Sequence, residues 1–216
     1  DLVLFVGQGA AKFVRFDGAT EGTGAAGMRH FLWRYLAEEA AAANKHDEAV
    51  RLFENAARAR PDSAEIHSRL AFIHHQHRRD LSKAVEHYEK ALADEKGLHN
   101  AWQVHYLAGN AYLTLGYADR ARVCYGNAAA RNPSASAPRR EAAIAASLSG
   151  NYTDAALELR GALAARPDDP DALTELAGLL IGSFLETRES SPIGNSTPPK
   201  KSKKKKRKGK GKVSKG

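Results

Sequence analysis

"WQVHYLAGNAYLTLGYADRARVCYGNAAARNP", residues 102–133, reads as two helices joined by a turn. Gly109 and Ala121 stand eighth and twentieth from Trp102, where small side chains let two antiparallel helices approach closely. His105, Tyr112 and Tyr125 are large and fill the space against the next helix pair. "LGYAD" (115–119) separates two alanine-rich runs, and alanine is the strongest helix former. Pro133 stops the second helix, because proline has no N–H to donate and clashes with the preceding turn.

The same pattern, with a period of about 34 residues, recurs along the chain. From His30 it carries Trp33, Leu36, Ala37, Ala49, Phe53, Ala56 and Pro61. From Ser136 it carries Ala143, Gly150, Ala155, Leu159, Ala162 and Pro167. From Ala64 it carries Leu70, Ala71, Ala84, Tyr88 and Ala91, with one extra residue in the inter-helix turn and no closing proline. "NKHD" (44–47) and "SGNYTD" (149–154) supply the other turns.

These four segments, 30–63, 64–98, 102–135 and 136–169, resemble tetratricopeptide repeats, and "DALTELAGLLIGSFLETR" (171–188) resembles the helix that caps such arrays. The expected fold is all-α: a tetratricopeptide-repeat superhelix of antiparallel helix hairpins with a disordered basic C-terminal tail. The expected organisation is an extended or hairpin segment with a glycine-rich linker over 1–29, the repeats and cap over 30–188, and the tail over 189–216. Single hairpins cannot bury their faces alone, so they must stack. The resemblance implies a right-handed superhelix whose first helices line a concave groove.

Charge is segregated. Residues 189–216 hold 11 of the 33 Lys and Arg but one of the 25 Asp and Glu, so the rest of the chain is near neutral. "ESSPIGNSTPP" (189–199) has the composition of a disordered linker, with Ser191-Pro192 and Thr197-Pro198 as candidate phosphorylation sites. The run that follows, with Lys200, Lys201, Lys203, Lys204, Lys205, Lys206, Arg207 and Lys208, repels itself too strongly to fold alone. It suits an import receptor or RNA and DNA phosphates. Cys124 is the sole cysteine, which excludes an intrachain disulfide and favours a reducing compartment. The apolar run "LVLFV" near the start is far shorter than the ~20 residues of a membrane helix. The expected location is intracellular, cytoplasmic and/or nuclear. A first residue of Asp1 leaves open a fragment or processed form.

"GTGAAG" (22–27) matches the spacing of a dinucleotide-binding loop. A helix hairpin follows it, however, where a second parallel strand ending in an acidic residue is required. Asp47 and Glu48 lie near the right distance but fall in a helix–helix turn. The loop is therefore read as a linker, and residues 1–18 as a short hairpin around Gly7 to Gly9. "HRRDL" (77–81) has an inserted arginine and no downstream asparagine, so it is a turn and not a kinase loop. In "IHHQH" (73–77), His74 and His77 share a helix face, but no Cys or carboxylate completes a ligand set. No catalytic residue, cofactor or metal is expected, and Cys124 is read as a structural thiol.

The resemblance also places first-helix side chains in the groove. Its candidates are Arg34, Tyr35, Arg69, Phe72, Tyr106, Asn110 and Arg140, a set suited to an acidic and apolar peptide. The carboxylate clamp for chaperone C-termini is missing, since the corresponding positions hold Arg34, Glu38, Arg69, Gln103 and Leu107. The asparagine ladder of sugar-transferase relatives is missing too. The expected function is a non-catalytic protein–protein interaction scaffold that takes a peptide or partner helix, with the tail for nuclear import or polyanion contact. Its alternatives are an RNA-associated adaptor, architecturally similar to the tetratricopeptide subunit of the signal recognition particle, and the C-terminal part of a larger enzyme.

Overall fold

The computed structural model describes residues 2–7, 10–15 and 25–190, with side chains from 29 to 182. Strands β1 (Leu2–Gly7) and β2 (Ala10–Arg15) pair antiparallel, Leu2 opposite Arg15 and Gly7 opposite Ala10. That is a hairpin, not the parallel crossover a dinucleotide-binding unit needs. Helix α1 spans Ala25–Ala42, so the second half of "GTGAAG" is helical and not linker. Alanine favours this early start, with two of them at the helix N-terminus.

Three further hairpins follow the one made by α1 and α2 (His46–Ala59). They are α3 (Ala64–Ile73) with α4 (Leu81–Ala93), α5 (Ala101–Thr114) with α6 (Ala118–Arg131), and α7 (Ser136–Leu148) with α8 (Tyr152–Ala165). Successive hairpins stack through α2 on α3, α4 on α5 and α6 on α7. The chemistry repeats with the geometry. Ala37 with Ala49, Ala71 with Ala84, and Ala143 with Ala155 are fully or almost fully buried at the close approaches. Phe53, Tyr88, Tyr125 and Leu159 occupy equivalent second-helix positions and are buried to the same degree. Each contributes about 1.5–3 kcal/mol of apolar burial.

The inter-helix turns show why the second repeat is irregular. After α1, α5 and α7, a residue with positive φ (Asn44, Gly116 or Gly150) ends the helix. The following N–H then reaches back five residues, from Lys45 to Ala40, Tyr117 to Tyr112 and Asn151 to Ala146, at 2.8–2.9 Å. This closure satisfies carbonyls at the helix end. In the second repeat the equivalent bond, Asp80 N–H to His74 O at 3.0 Å, reaches back six. The extra residue is absorbed as a π-helical turn over His74–Arg78, and Arg79 takes the positive φ of 53°. Arginine carries a Cβ penalty there that glycine avoids. Arg79→Gly is therefore expected to raise stability by about 0.5–1 kcal/mol, read as a higher urea midpoint with unchanged slope.

Helix α9 (Pro170–Ser190) starts with proline in its first position, where a missing N–H costs nothing. Asp169 caps it, accepting from Ala172 N–H at 3.3 Å and from the Ser136 hydroxyl at 2.7 Å. Ala172, Leu176 and Leu179 join the apolar cluster of α7 and α8. Glu189 and Ser190 are helical, two residues into the segment read as linker. The chain divides into compact units 1–179 and 180–216, and the described part of the second is the end of α9. The basic run and its linker from 191 onward lie outside the described residues. Among the described residues no helix is long and apolar enough to cross a membrane.

Candidate functional site

Side chains of the first helices α3 and α5 line one hollow. This hollow is about 480 Å³, walled by Phe72, Tyr88, Val104 and Leu107 and rimmed by Arg69 and Gln103. The connector between α4 and α5 closes one side of it. It carries a 3-10 turn over Glu95–Gly97 and contributes Leu98, His99 and Asn100 to the wall. A second hollow of about 300 Å³ lies where the end of α1 and the start of α2 meet α3. Ala41, Phe53, Phe72 and Ile73 line it, together with Glu38 and His77. Arg69 and Phe72, one turn apart on α3, line both hollows.

The candidate groove arginines have different environments. Arg34 donates to Glu65 at 2.7 Å, tying α1 to α3, and its guanidinium lies 5.8 Å from the Phe31 ring centre. Arg140 donates to Asp171 at 2.8 Å and to Asp169 at 3.5 Å. Arg69 is exposed, and no hydrogen bond or ion pair holds it among the described residues. Phe72 is 41% exposed, high for an aromatic ring in a concave wall. Tyr35 is half-buried on α1. Asn110 accepts from the Tyr125 hydroxyl at 2.8 Å, so its carbonyl is committed to the core. Tyr106 packs 5.7 Å from the Tyr125 ring, and burial followed by the nearby Glu141 raises its phenol pKa. Burial likewise raises the Glu141 carboxyl.

The π turn places the histidines. His77 stacks on His46 with ring centres 3.6 Å apart and meets the edge of Phe72 at 6.0 Å. His75 faces the Tyr88 hydroxyl at 3.2 Å. Inside the repeat, His67 Nε2 lies 2.8 Å from Pro61 O, so it carries the proton and donates. His67 Nδ1 is then the acceptor for His87 Nδ1–H at 3.1 Å. His74, 2% exposed, stacks on His87. Burial, with positive neighbours, holds His74 below its usual value and His87 down at about 4. His74 and His87 are packed, neutral rings. Among the described residues no group of three His, Cys, Asp or Glu side chains could hold a metal ion.

"HRRDL" forms the end of the π turn, the Arg79 cap and the start of α4, where Asp80 accepts from Lys83 N–H at 3.2 Å. Cys124 is half-buried, and burial pushes its thiol up to about 11, away from thiolate chemistry at neutral pH. Sequence reasoning picked out Arg69 and Phe72 but missed the wall formed by Leu98, His99 and Asn100. The available signal was residues 99–101, which stand between the second and third repeats where the other repeats abut.

The tetratricopeptide-repeat family profile matches residues 36–97 and 106–170, more than half of the chain. The chain belongs to the tetratricopeptide-repeat family. Solved structures of this family share the fold at low identity. A MamA crystal structure matches at 15% identity and a TM-score of 0.64, covering 75% of this chain and 86% of that one. MamA from Desulfovibrio magneticus RS-1 (residues 41 to the end) matches at 16% and 0.62, covering 81% and 100%. YrrB, described as a tetratricopeptide protein with an unusual peptide-binding site, matches at 16% and 0.62, covering 73% and 78%. Comparison with curated protein sequences gives no significant match. The tetratricopeptide superhelix expected from the repeat pattern is thus the fold of this chain.

Proposed function

We propose that this tetratricopeptide-repeat protein is a non-catalytic interaction scaffold that takes a peptide or partner helix in the groove between α3 and α5. The observation that carries this is the Phe72 ring, 41% exposed on the wall of the 480 Å³ hollow. Rigid aromatic rings in concave walls are the usual anchors of protein–protein contacts. The peptide-binding site named for YrrB supports the reading by likeness of fold. Selection of a phage-displayed random peptide library on the full chain tests it. Peptides that bind the native protein and lose binding to a folded Phe72→Asp variant are the expected result. Peptides indifferent to that change would place the interaction elsewhere.

The lysine-rich run adds location or polyanion contact, in the cytoplasm and/or nucleus. Its density of charge, 11 Lys and Arg within residues 200–215, favours release of counterions from RNA. Fluorescence anisotropy with single-stranded RNA should show binding that falls steeply with salt. Changing Lys203, Lys204, Lys205 and Lys206 to glutamine in the full chain should reduce the log–log salt slope by about 3. Absence of binding at physiological salt would leave the run as an import signal.

A further inference from the structure

We infer that the groove selects an extended peptide in which one acidic residue is flanked by two apolar side chains. This rests on the groove reading proposed above and goes further, naming the chemistry of the occupant. Two hollows, about 480 and 300 Å³, lie on either side of the ridge made by Arg69 and Phe72. Their walls are mainly apolar, each is large enough for an apolar side chain, and Phe72 lines both.

Charge then decides what crosses the ridge. Arg34 and Arg140 already hold carboxylates of their own chain. Arg69 alone among the three groove candidates is exposed and forms no ion pair among the described residues, while Glu65, one turn before it on α3 and in the same hollow, is held by Arg34. Its guanidinium fork is free to donate to a carboxylate arriving between the hollows. Glu38 in the smaller hollow and Glu65 in the larger repel a second acid in either, which confines the acidic residue to the ridge. A lysine-rich segment, including this chain's own residues 200–215, carries the wrong sign for Arg69.

The test uses synthetic fluorescein-labelled peptides copied from the library selection, with the full chain. Selected sequences should share an acidic residue between two apolar ones. Arg69→Glu should weaken them about tenfold or more, the scale of one charge-assisted hydrogen bond. Replacing the peptide's acid by lysine should reverse the preference, so that the Arg69→Glu protein binds the lysine peptide more tightly than the native protein does. Arg69 is exposed, so circular dichroism of the variant should match the native chain. Peptides without an acidic residue, or with affinity unchanged by Arg69→Glu yet lost with Phe72→Asp, would overturn the inference and leave the groove reading standing. Peptides indifferent to both variants would overturn both.

Discussion

Gly109→Leu is expected to destabilise the third repeat by about 3 kcal/mol or more, at the upper end of overpacking costs. A Cβ at this position would stand 2.6 and 2.7 Å from two ring carbons of Tyr125, inside van der Waals contact. The ring cannot swing aside. It is fully buried, its hydroxyl is held by Asn110 at 2.8 Å, and Tyr106 packs 5.7 Å from it. Glycine in a helix interior costs about 1 kcal/mol relative to alanine, so its presence here reflects that close approach. A double-mutant cycle separates the clash from helix propensity. Gly109→Leu with Tyr125→Ala should cost less than the sum of the single changes by at least about 1 kcal/mol. Strict additivity in urea unfolding would show that the ring and the glycine do not oppose each other.

Acid should loosen the second repeat more than the others. His87 is held down at about 4 by burial and by the facing rings of His67 and His74, with Lys90 adding to this and Glu86 opposing it. His74 is lowered by burial, then by Arg78, with Lys83 acting the same way and Asp80 and Glu54 opposing. His75 and His105 are lowered too. For His75 burial is the whole cause, and for His105 it outweighs the opposing pull of Glu95. The sign follows from the unfolded state. Well above the ordinary histidine pKa of about 6.5 all these rings are neutral in both states, and stability is complete. As pH falls through that value towards 4, the unfolded chain takes up protons that the folded repeat refuses, so stability is lost across that window. His87 accounts for about 1–2 kcal/mol of this, after allowing for solvent screening of a half-buried ring. The urea midpoint should drop between about pH 7.5 and pH 4.5, and His87→Phe should flatten the drop. A midpoint that stays level across this range would mean that the rings accept protons within the fold.

Such a loss would reach the groove directly. The helix that carries Arg69 and Phe72 is packed on the helix that carries His87, through His67 and His74. Peptide affinity and repeat stability should therefore fall together in acid.

The amino-acid order alone specifies the helices, their pairing into hairpins and the residues at their contacts. Those features follow a local period: Ala37 with Ala49 or Ala143 with Ala155 are small because two helices of one hairpin must touch there. Phe53, Tyr88, Tyr125 and Leu159 are large because each must fill the same gap. The irregular turn of the second repeat was legible as one extra residue, but its form was not. A π turn with Arg79 in the left-handed region, and the stacking of His77 on His46, depend on what α1 and α2 present to that turn. The start of α1 inside "GTGAAG" was hidden because the glycines there suggest a linker, while the alanines between them sustain a helix.

Which groove residues are available is a property of the folded stack. Arg34 meets Glu65 and Arg140 meets Asp171 across 31 residues of chain, and Arg69 meets no such partner among the described residues. All three arginines occupy similar positions in their repeats, so the repeat pattern treats them alike. What separates them is the residue that the next hairpin presents: Glu65 and Asp171 stand 31 residues on from Arg34 and Arg140, and Asn100 stands 31 on from Arg69. That side chains so far apart in the chain meet at all is set by packing between repeats.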